Sequence, residues 1–205
     1  MSIKKIYRLI NNGENRNVEF KRLISSPEKI AKTMVAMANA KGGEILIGIG
    51  DKKEIIGIFD IQREINLINE GANFFCKPPI KPLIRIFSLN NKDVILVRIE
   101  ESKNKPHLLI LEKRENPYLR INEASLPLDY SMVKRWKKSK KIDLNNRQEK
   151  LLLNLLEKRE KITLKDYAKA VNISKRRANR IINRLIEKGL VAILYGDQGK
   201  YFTKR

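Results

Sequence analysis

Apolar residues recur along the first half of the chain with two periods, one typical of strands and one typical of helices. Val18-Glu19-Phe20-Lys21 alternates apolar and polar residues, which predicts a strand with Glu19 and Lys21 on one face. Ser26-Pro27 predicts the start of a helix, because Ser is a favoured N-cap and Pro a favoured first helical residue. The nearly continuous apolar run 44–49 predicts a buried central strand.

The pattern between residues 50 and 130 predicts further strands and one more helix. Residues 55–58 are expected to form the hairpin partner of strand 44–49. Apolar residues at helical spacing over 61–75 predict an amphipathic helix. Two strand pairs are predicted after it, 83–87 with 94–99 and 108–111 with 118–121. Residues 1–130 should therefore form an α+β domain with a mixed sheet.

The last part of the chain, residues 146–205, has the pattern of a small winged-helix domain. Leu151, Leu152, Leu155 and Leu156 predict a first helix, and Thr163 and Ser174 are expected to cap a second and a third. Two strands flanking the Gly-bounded segment 196–199 predict a wing. The segment 131–145, basic and containing Trp136, is expected to be a linker, with Trp136 as a packing residue at a domain edge.

The net charge of the chain indicates which class of molecule it binds. The chain has 44 Lys and Arg against 23 Asp and Glu, a net charge of +21, of which +15 falls in residues 131–205. Such an excess attracts polyanions, so a nucleic acid is the expected partner. Abundant Lys, Asn and Ile also fit codon bias, in which case some lysines are ordinary solvated surface.

Cysteine usage and hydropathy exclude several other classes of protein. Cys76 is the only cysteine, which excludes an intramolecular disulfide and a four-cysteine zinc site. No apolar run approaches the ~20 residues that span a bilayer, and the first residues do not resemble a signal peptide. We therefore expect a cytoplasmic protein with no membrane partner.

The third helix of the predicted winged domain is the clearest candidate DNA surface. Arg pairs bidentately with guanine, Asn pairs with adenine, and Lys and Arg bind phosphate. Contact with another protein is the alternative use of such a helix. The candidate nucleic-acid-binding residues are Lys175, Arg176, Arg177, Asn179, Arg180, Asn183 and Arg184, together with Lys200 on the wing.

Three acids in the first domain surround the predicted central strand: Glu14, Glu19 in Glu19-Phe20-Lys21, and Asp51 after the run from Gly42-Gly43 to Gly50. This ordered set resembles the Schlafen-type AlbA-like domain. The resemblance continues through 55–58, Lys105-Pro106-His107 and Pro117-Tyr118-Leu119-Arg120, and so covers about residues 1–130. It implies a nucleic-acid-binding α+β domain.

The resemblance also implies a candidate catalytic site. In nuclease-active Schlafen proteins the positions matching Glu14, Glu19 and Asp51 bind a divalent ion for RNA cleavage, and carboxylate oxygens suit Mg²⁺ or Mn²⁺. Lys21, on the same strand face as Glu19, is then a candidate catalytic phosphate contact. Alternatively, Glu19 only pairs with Lys21, and Asp51 is an ordinary turn residue. The lone histidine, His107, is expected to be structural.

The sequence thus predicts a DNA-binding transcriptional regulator that needs no cofactor. The alternative is a metal-dependent endoribonuclease, with RNA as substrate, Mg²⁺ or Mn²⁺ as cofactor, and Glu14, Glu19 and Asp51 as metal ligands. A protein-interaction adaptor is a third hypothesis, which leaves the charge unexplained. No Gly-x-x-x-x-Gly-Lys-Ser/Thr motif is present, so an NTPase is not expected. A homodimer is predicted, because two-fold assemblies are the commonest oligomers.

Overall fold

The computed structural model describes residues 2–112, 114–128, 147–196 and 199–204. The chain divides into two compact units, Met1–Ser125 and Leu126–Arg205. The predicted linker 131–145, with Trp136, and the wing-tip pair Asp197-Gln198 lie outside the described residues. Within the described segments, every helix is too short or too polar to cross a membrane.

The first unit contains the predicted mixed sheet. Strand β1 (Val18–Lys21) is parallel to β2 (Gly43–Ile47), and helix α2 (Pro27–Asn39) connects them. On the other side of β2, the sheet continues with two antiparallel strands, β5 (Lys92–Ile99) and the edge strand β4 (Leu83–Leu89). As predicted, the β4–β5 hairpin turns at Asn90-Asn91, both with positive φ.

Both faces of this sheet are covered by helices. Helices α2 and α3 (Ile61–Phe74) pack on the face that presents Ile45 and Val97. Helix α1 (Ile3–Asn12) covers part of the other face, where it buries Ile6 against Leu46 and Leu96. The odd and even residues of β2 and β5 therefore enter different cores, as the two-residue period of a strand requires.

The first unit also begins a second sheet, which the sequence pattern did not separate from the first. Its order is β3 (Cys76–Lys77), β6 (Leu108–Leu111), β7 (Arg114–Ile121) and β8 (Ala124–Pro127). Asn39, at the end of α2, joins α2 to this sheet. Its Nδ2 donates to the carbonyls of His107 and Tyr118, both at 2.8 Å, and its Oδ1 accepts from His107 N at 2.7 Å.

The predicted hairpin of 55–58 with 44–49 is wrong. Only a single bridge joins Ile49 to Ile55, because β1 and β5 already occupy both edges of β2. The carbonyl of Gly48 accepts from both Ile56 N and Gly57 N. Gly57 has φ +84°, and this left-handed conformation bends the chain away before a second bridge forms.

The second unit has the predicted winged-helix order. Its elements are α4 (Arg147–Arg159), β9 (Lys161–Ile162), α5 (Leu164–Ala170), α6 (Lys175–Glu187), β10 (Val191–Gly196) and β11 (Gly199–Lys204). The strands form an antiparallel sheet in the order β10-β11-β9. Of the leucines that predicted helix α4, Leu152 and Leu156 are buried, whereas Leu151 is 40% exposed. Leu153, which is 7% exposed, completes the buried stripe of α4.

Candidate nucleic-acid interface

Helix α6 presents seven of the eight residues predicted to bind nucleic acid. Ser174 caps the helix as predicted, since its Oγ accepts from Arg177 N at 3.2 Å. One side of the helix is wholly apolar and packs into the core of the unit. This buried stripe consists of Ala178, Ile181, Ile182, Leu185 and Ile186. The stripe fixes the rotation of α6 about its own axis, and with it the direction of every polar side chain.

All seven predicted side chains of α6 are exposed: Lys175, Arg176, Arg177, Asn179, Arg180, Asn183 and Arg184. At 3.6 residues per turn, three of them lie opposite the buried stripe, namely Arg176, Arg180 and Asn183. These three make no hydrogen bond or ion pair with any residue that the structure describes. Their donors are therefore directed to solvent and are available to a ligand.

Arg184 differs from these three, because it lies at the flank of α6 that faces α4. Its Nη1 is 3.4 Å from Oε1 of Glu149, a carboxylate that is almost fully buried. Lys188 binds the other oxygen of Glu149 at 2.8 Å. The charge of Glu149 also affects Tyr167: burial is the main cause that raises the pKa of Tyr167 to about 12, and the nearby Glu149 carboxylate is the second. Arg184 thus contributes to the packing of α6 on α4, whatever it does with a nucleic acid.

The wing carries Lys200 and an aromatic residue that the sequence analysis did not select. Lys200 on β11 is exposed and lies opposite Tyr195 of β10 in the register of the two strands. Tyr195 is 46% exposed. The signal in the sequence was an aromatic residue directly before the turn glycine Gly196. An exposed Tyr beside a Lys provides both a stacking surface and a cation.

The acids predicted to bind a metal occupy different settings in the first unit. Glu14 is exposed, and its Oε1 accepts from Phe20 N at 2.7 Å. Glu19 is only partly exposed and lies on β1 beside Lys21, as the alternation predicted. Asp51 is exposed in the turn that follows β2. The hydrogen bond from the backbone of Phe20 therefore holds the Glu14 side chain against β1, at the residue that follows Glu19.

The fit of these acids to a divalent ion depends on what their oxygens already bind. Glu19 Oε1 is 2.7 Å from Lys21 Nζ, and its Oε2 is 2.5 Å from Nη2 of the buried Arg120. Among the residues described, no three His, Cys, Asp or Glu side chains are grouped as a metal site. In this arrangement two cations compensate the charge of Glu19, and a metal ion would have to displace them. The metal and catalytic roles of Glu14, Glu19, Asp51 and Lys21 stay predictions.

Arg120 is the partner of Glu19 that sequence reasoning missed. It is 1% exposed, and besides Glu19 it donates from Nη2 to the carbonyl of Asn15 at 3.4 Å. The Tyr118-x-Arg120 pattern was visible in the sequence, but nothing in it joined position 120 to position 19. A buried guanidinium needs a carboxylate, so the Glu19–Arg120 pair ties β1 to β7.

His107 is buried and hydrogen-bonded through both ring nitrogens, as expected of a structural histidine. Its Nδ1 is 2.7 Å from the carbonyl of Pro78, which only accepts, and its Nε2 is 2.7 Å from Ser102 Oγ. Nδ1 therefore carries a proton, and in the neutral ring Nε2 accepts from the Ser102 hydroxyl. Burial lowers the pKa of His107, and the hydrogen bond to Pro78 opposes this effect.

Two protein-family models match the chain in the order of its units. The model described as "Schlafen, AlbA_2" matches residues 14–129. The model described as "Winged helix-turn-helix DNA-binding" matches residues 145–192, which include α6. No curated protein sequence matches the chain significantly.

Two solved structures resemble the fold at low sequence identity. The N-terminal domain of a RecG-related protein from Nitrosomonas europaea is 18% identical with a TM-score of 0.44, over 57% of this chain and 83% of that one. The DIP2311 protein from Corynebacterium diphtheriae is 14% identical with a TM-score of 0.48, over 98% of this chain. This chain spans 38% of the length of the DIP2311 chain.

The first match covers more than half of the chain and contains Glu14, Glu19 and Arg120. The second contains the capped helix α6 with its row of outward Arg and Asn side chains. The chain therefore belongs to the Schlafen AlbA_2 family, and it is a nucleic-acid-binding protein that carries a winged helix-turn-helix DNA-binding domain.

Proposed function

We propose that the protein is a DNA-binding transcriptional regulator that reads its site with α6. The observation that carries the proposal is the row of Arg176, Arg180 and Asn183, exposed opposite the buried stripe and without a partner among the described residues. A helix with this face fits the major groove, where base edges differ between all four base pairs. The proposal places the protein in the cytoplasm, with access to the genome.

Each polar residue of the row has a distinct use on DNA. The guanidinium groups of Arg176 and Arg180 can donate bidentately to O6 and N7 of guanine, and the amide of Asn183 can pair with adenine. Lys200 on the wing supplies a phosphate contact, which positions the domain without reading sequence. None of these contacts needs a metal or an organic cofactor, so binding is expected to persist in EDTA.

A homodimer is part of the same proposal. Two copies related by a two-fold axis would place two α6 helices on two half-sites of a pseudo-palindromic operator. Light scattering of the full chain, with and without DNA, tests this point. A mass that stays at the 23.9 kDa of one chain at micromolar concentration would contradict it.

The DNA contacts are tested by the double variant Arg176→Ala/Arg180→Ala. We expect a loss of about 1–3 kcal/mol of binding free energy for each base contact removed, measured by fluorescence anisotropy on a selected duplex. The control is Lys150→Ala/Lys158→Ala, which removes the same charge from exposed positions on α4. Equal affinities of the two variants would contradict the assignment of α6.

The regulatory part of the proposal requires that the protein prefer particular sequences. Selection of bound duplexes from a random library should enrich one motif, and that motif should recruit the protein to promoters in a reporter assay. Specific sites are typically bound about 10³-fold or more tightly than random DNA. Binding without enrichment would leave a non-specific DNA-binding protein and would contradict transcriptional regulation.

A further inference from the structure

A cationic groove lies on the first unit, between α1 and strands β4 and β5. It has a volume of about 310 Å³ and is lined by Lys5, Leu83, Arg85, Leu96 and Arg98. We call it the Arg85–Arg98 groove. It lies on the α1 side of the mixed sheet, whereas Glu19 and Lys21 alternate onto the opposite face of β1. The groove is therefore separate from the candidate metal ligands.

The register of the hairpin places the two arginines side by side. Arg85 is opposite Leu96 and Arg98 is opposite Leu83, so the arginines are diagonal neighbours on one face of β4 and β5. Diagonal pairs have Cα atoms about 7–8 Å apart, within reach of each other's long side chains. Both arginines are exposed, which leaves their guanidinium groups open to a ligand in the groove.

No carboxylate of the described residues compensates these two charges. Arg85 and Arg98 make no ion pair or hydrogen bond within the part of the chain that the structure describes. The nearest candidate is Glu44, which is directly opposite Arg98 on β2. Its Oε1 instead binds Lys5 Nζ at 2.9 Å. Two like charges on one sheet face are destabilising, and an anion in the groove would relieve that repulsion.

Three other arginines of the protein, unlike Arg85 and Arg98, are paired with carboxylates. Arg63 is paired with Glu64, Arg120 with Glu19, and Arg184 with Glu149. Each of these three guanidinium groups faces a carboxylate that is largely buried. Arg85 and Arg98 resemble Arg176 and Arg180 of α6 instead, in that they are exposed and have no partner in the described segments.

A second cavity continues from Arg98 and limits where an anion can bind. Its volume is about 520 Å³, and its lining contains Lys41 and Arg98 but also Glu44, Glu100 and Glu101. Glu101 is paired with Lys105 at 2.6 Å. The mixed charge of this cavity does not favour an anion, whereas the lining of the Arg85–Arg98 groove contains no acidic residue.

We propose that the Arg85–Arg98 groove binds the phosphate backbone of DNA, as a second contact surface in addition to α6. The proposal rests on the proposed function, since DNA is the ligand of both surfaces. Two adjacent guanidinium forks match phosphate oxygens, and the apolar floor of Leu83 and Leu96 offers no group that would read a base. The contact therefore adds affinity without adding sequence specificity.

The test is the double variant Arg85→Ala/Arg98→Ala in the full chain, titrated with a duplex of random sequence at several salt concentrations. We expect affinity to fall about tenfold at 0.1 M salt and the slope of log K against log salt to become shallower by about 2, one for each phosphate contact. The control, Lys103→Ala/Arg114→Ala, removes the same charge from exposed positions outside the groove. Arg85→Lys/Arg98→Lys should retain most of the slope.

The outcomes separate this proposal from the proposed function. If the groove variant binds DNA like its control, the proposal that the groove binds DNA is overturned. This holds even if Arg176→Ala/Arg180→Ala still weakens binding. An acidic protein would then be the expected occupant of the groove. A wild type that binds no duplex DNA would overturn both proposals. A melting temperature of the groove variant equal to or above that of the wild type is expected, because the substitutions remove a repulsion.

Discussion

Two arginine sites, one in each unit, use the guanidinium group in opposite ways. In the first unit, Arg120 is 1% exposed and held by Glu19. In the second unit, Arg176 and Arg180 are exposed and have no partner among the described residues. Desolvation accounts for the difference, because a buried guanidinium requires a fixed carboxylate and a solvated one does not. The same side chain therefore stabilises the fold at position 120 and is free to bind a ligand at positions 176 and 180.

The largest effect that would test this contrast is expected at Glu19. Glu19→Gln leaves Arg120 buried without a counter-charge, which should lower the free energy of unfolding by about 3 kcal/mol. Arg176→Ala should change it by less than about 0.5 kcal/mol, since the side chain is exposed. Urea unfolding of both variants measures the difference. Equal, small effects would show that the Glu19–Arg120 pair does not hold β1 to β7.

The metal hypothesis predicts that Glu19→Gln stabilises the metal-free protein, which is opposite to the loss of stability expected above. If Glu14, Glu19 and Asp51 surround Mg²⁺ or Mn²⁺, their repulsion destabilises the empty site, so Glu19→Gln should raise the metal-free melting temperature. The ion-pair arrangement of the structure favours a decrease. Melting curves with EDTA or millimolar Mn²⁺, together with cleavage assays on structured RNA, separate the two. Metal-induced stabilisation with cleavage would favour the endoribonuclease.

An intermediate effect is expected at Glu149, which binds one half-exposed arginine and one lysine. Glu149→Gln removes the charge that holds Arg184 and Lys188, and we expect a loss of about 1–2 kcal/mol of stability. The affinity for DNA should be unchanged or slightly higher, because Arg184 is released. A large loss of DNA affinity with unchanged stability would show instead that the Glu149 contact positions α6 for binding.

The smallest effect is expected from pH, and it arises from a single proton on His107. Burial holds the pKa of this ring below its ordinary value of 6.5, so the unfolded chain binds the proton more readily than the folded chain. Stability should be constant above about pH 6.5 and fall as the pH drops through the lowered pKa. His107 is the only histidine, so His107→Gln should abolish this dependence. If the stability of His107→Gln still depended on pH in this range, carboxylates would be the cause.

The sequence predicted local elements well and long-range partners poorly. The caps Ser26, Thr163 and Ser174 were correct, because a cap is decided by the few residues around it. The seven candidates of α6 are all exposed for the same reason, since helical spacing sorts them. The hairpin of 55–58 failed because the partners of β2 come from distant parts of the chain.

The candidate site shows the same limit. Alternation along β1 correctly put Glu19 beside Lys21, but it could not identify Arg120, which arrives from β7. The free arginines of the Arg85–Arg98 groove were equally hidden, because their lack of a partner depends on Glu44 binding Lys5 rather than Arg98. Whether a charge is compensated is decided by tertiary packing, and residue type alone does not show it.

Asn39 has a consequence for how the first unit unfolds. Its amide exchanges two hydrogen bonds with the backbone of His107, as the neighbouring residue of an antiparallel strand would, and adds a third to Tyr118. A helical side chain thus substitutes for a missing strand and couples α2 to the second sheet. If that sheet frayed while α2 stayed in place, the buried amide of Asn39 would lose its hydrogen-bond partners. An unsatisfied buried amide costs free energy. The amide proton of His107 should therefore exchange with solvent only in the rare molecules in which α2 has also left the core.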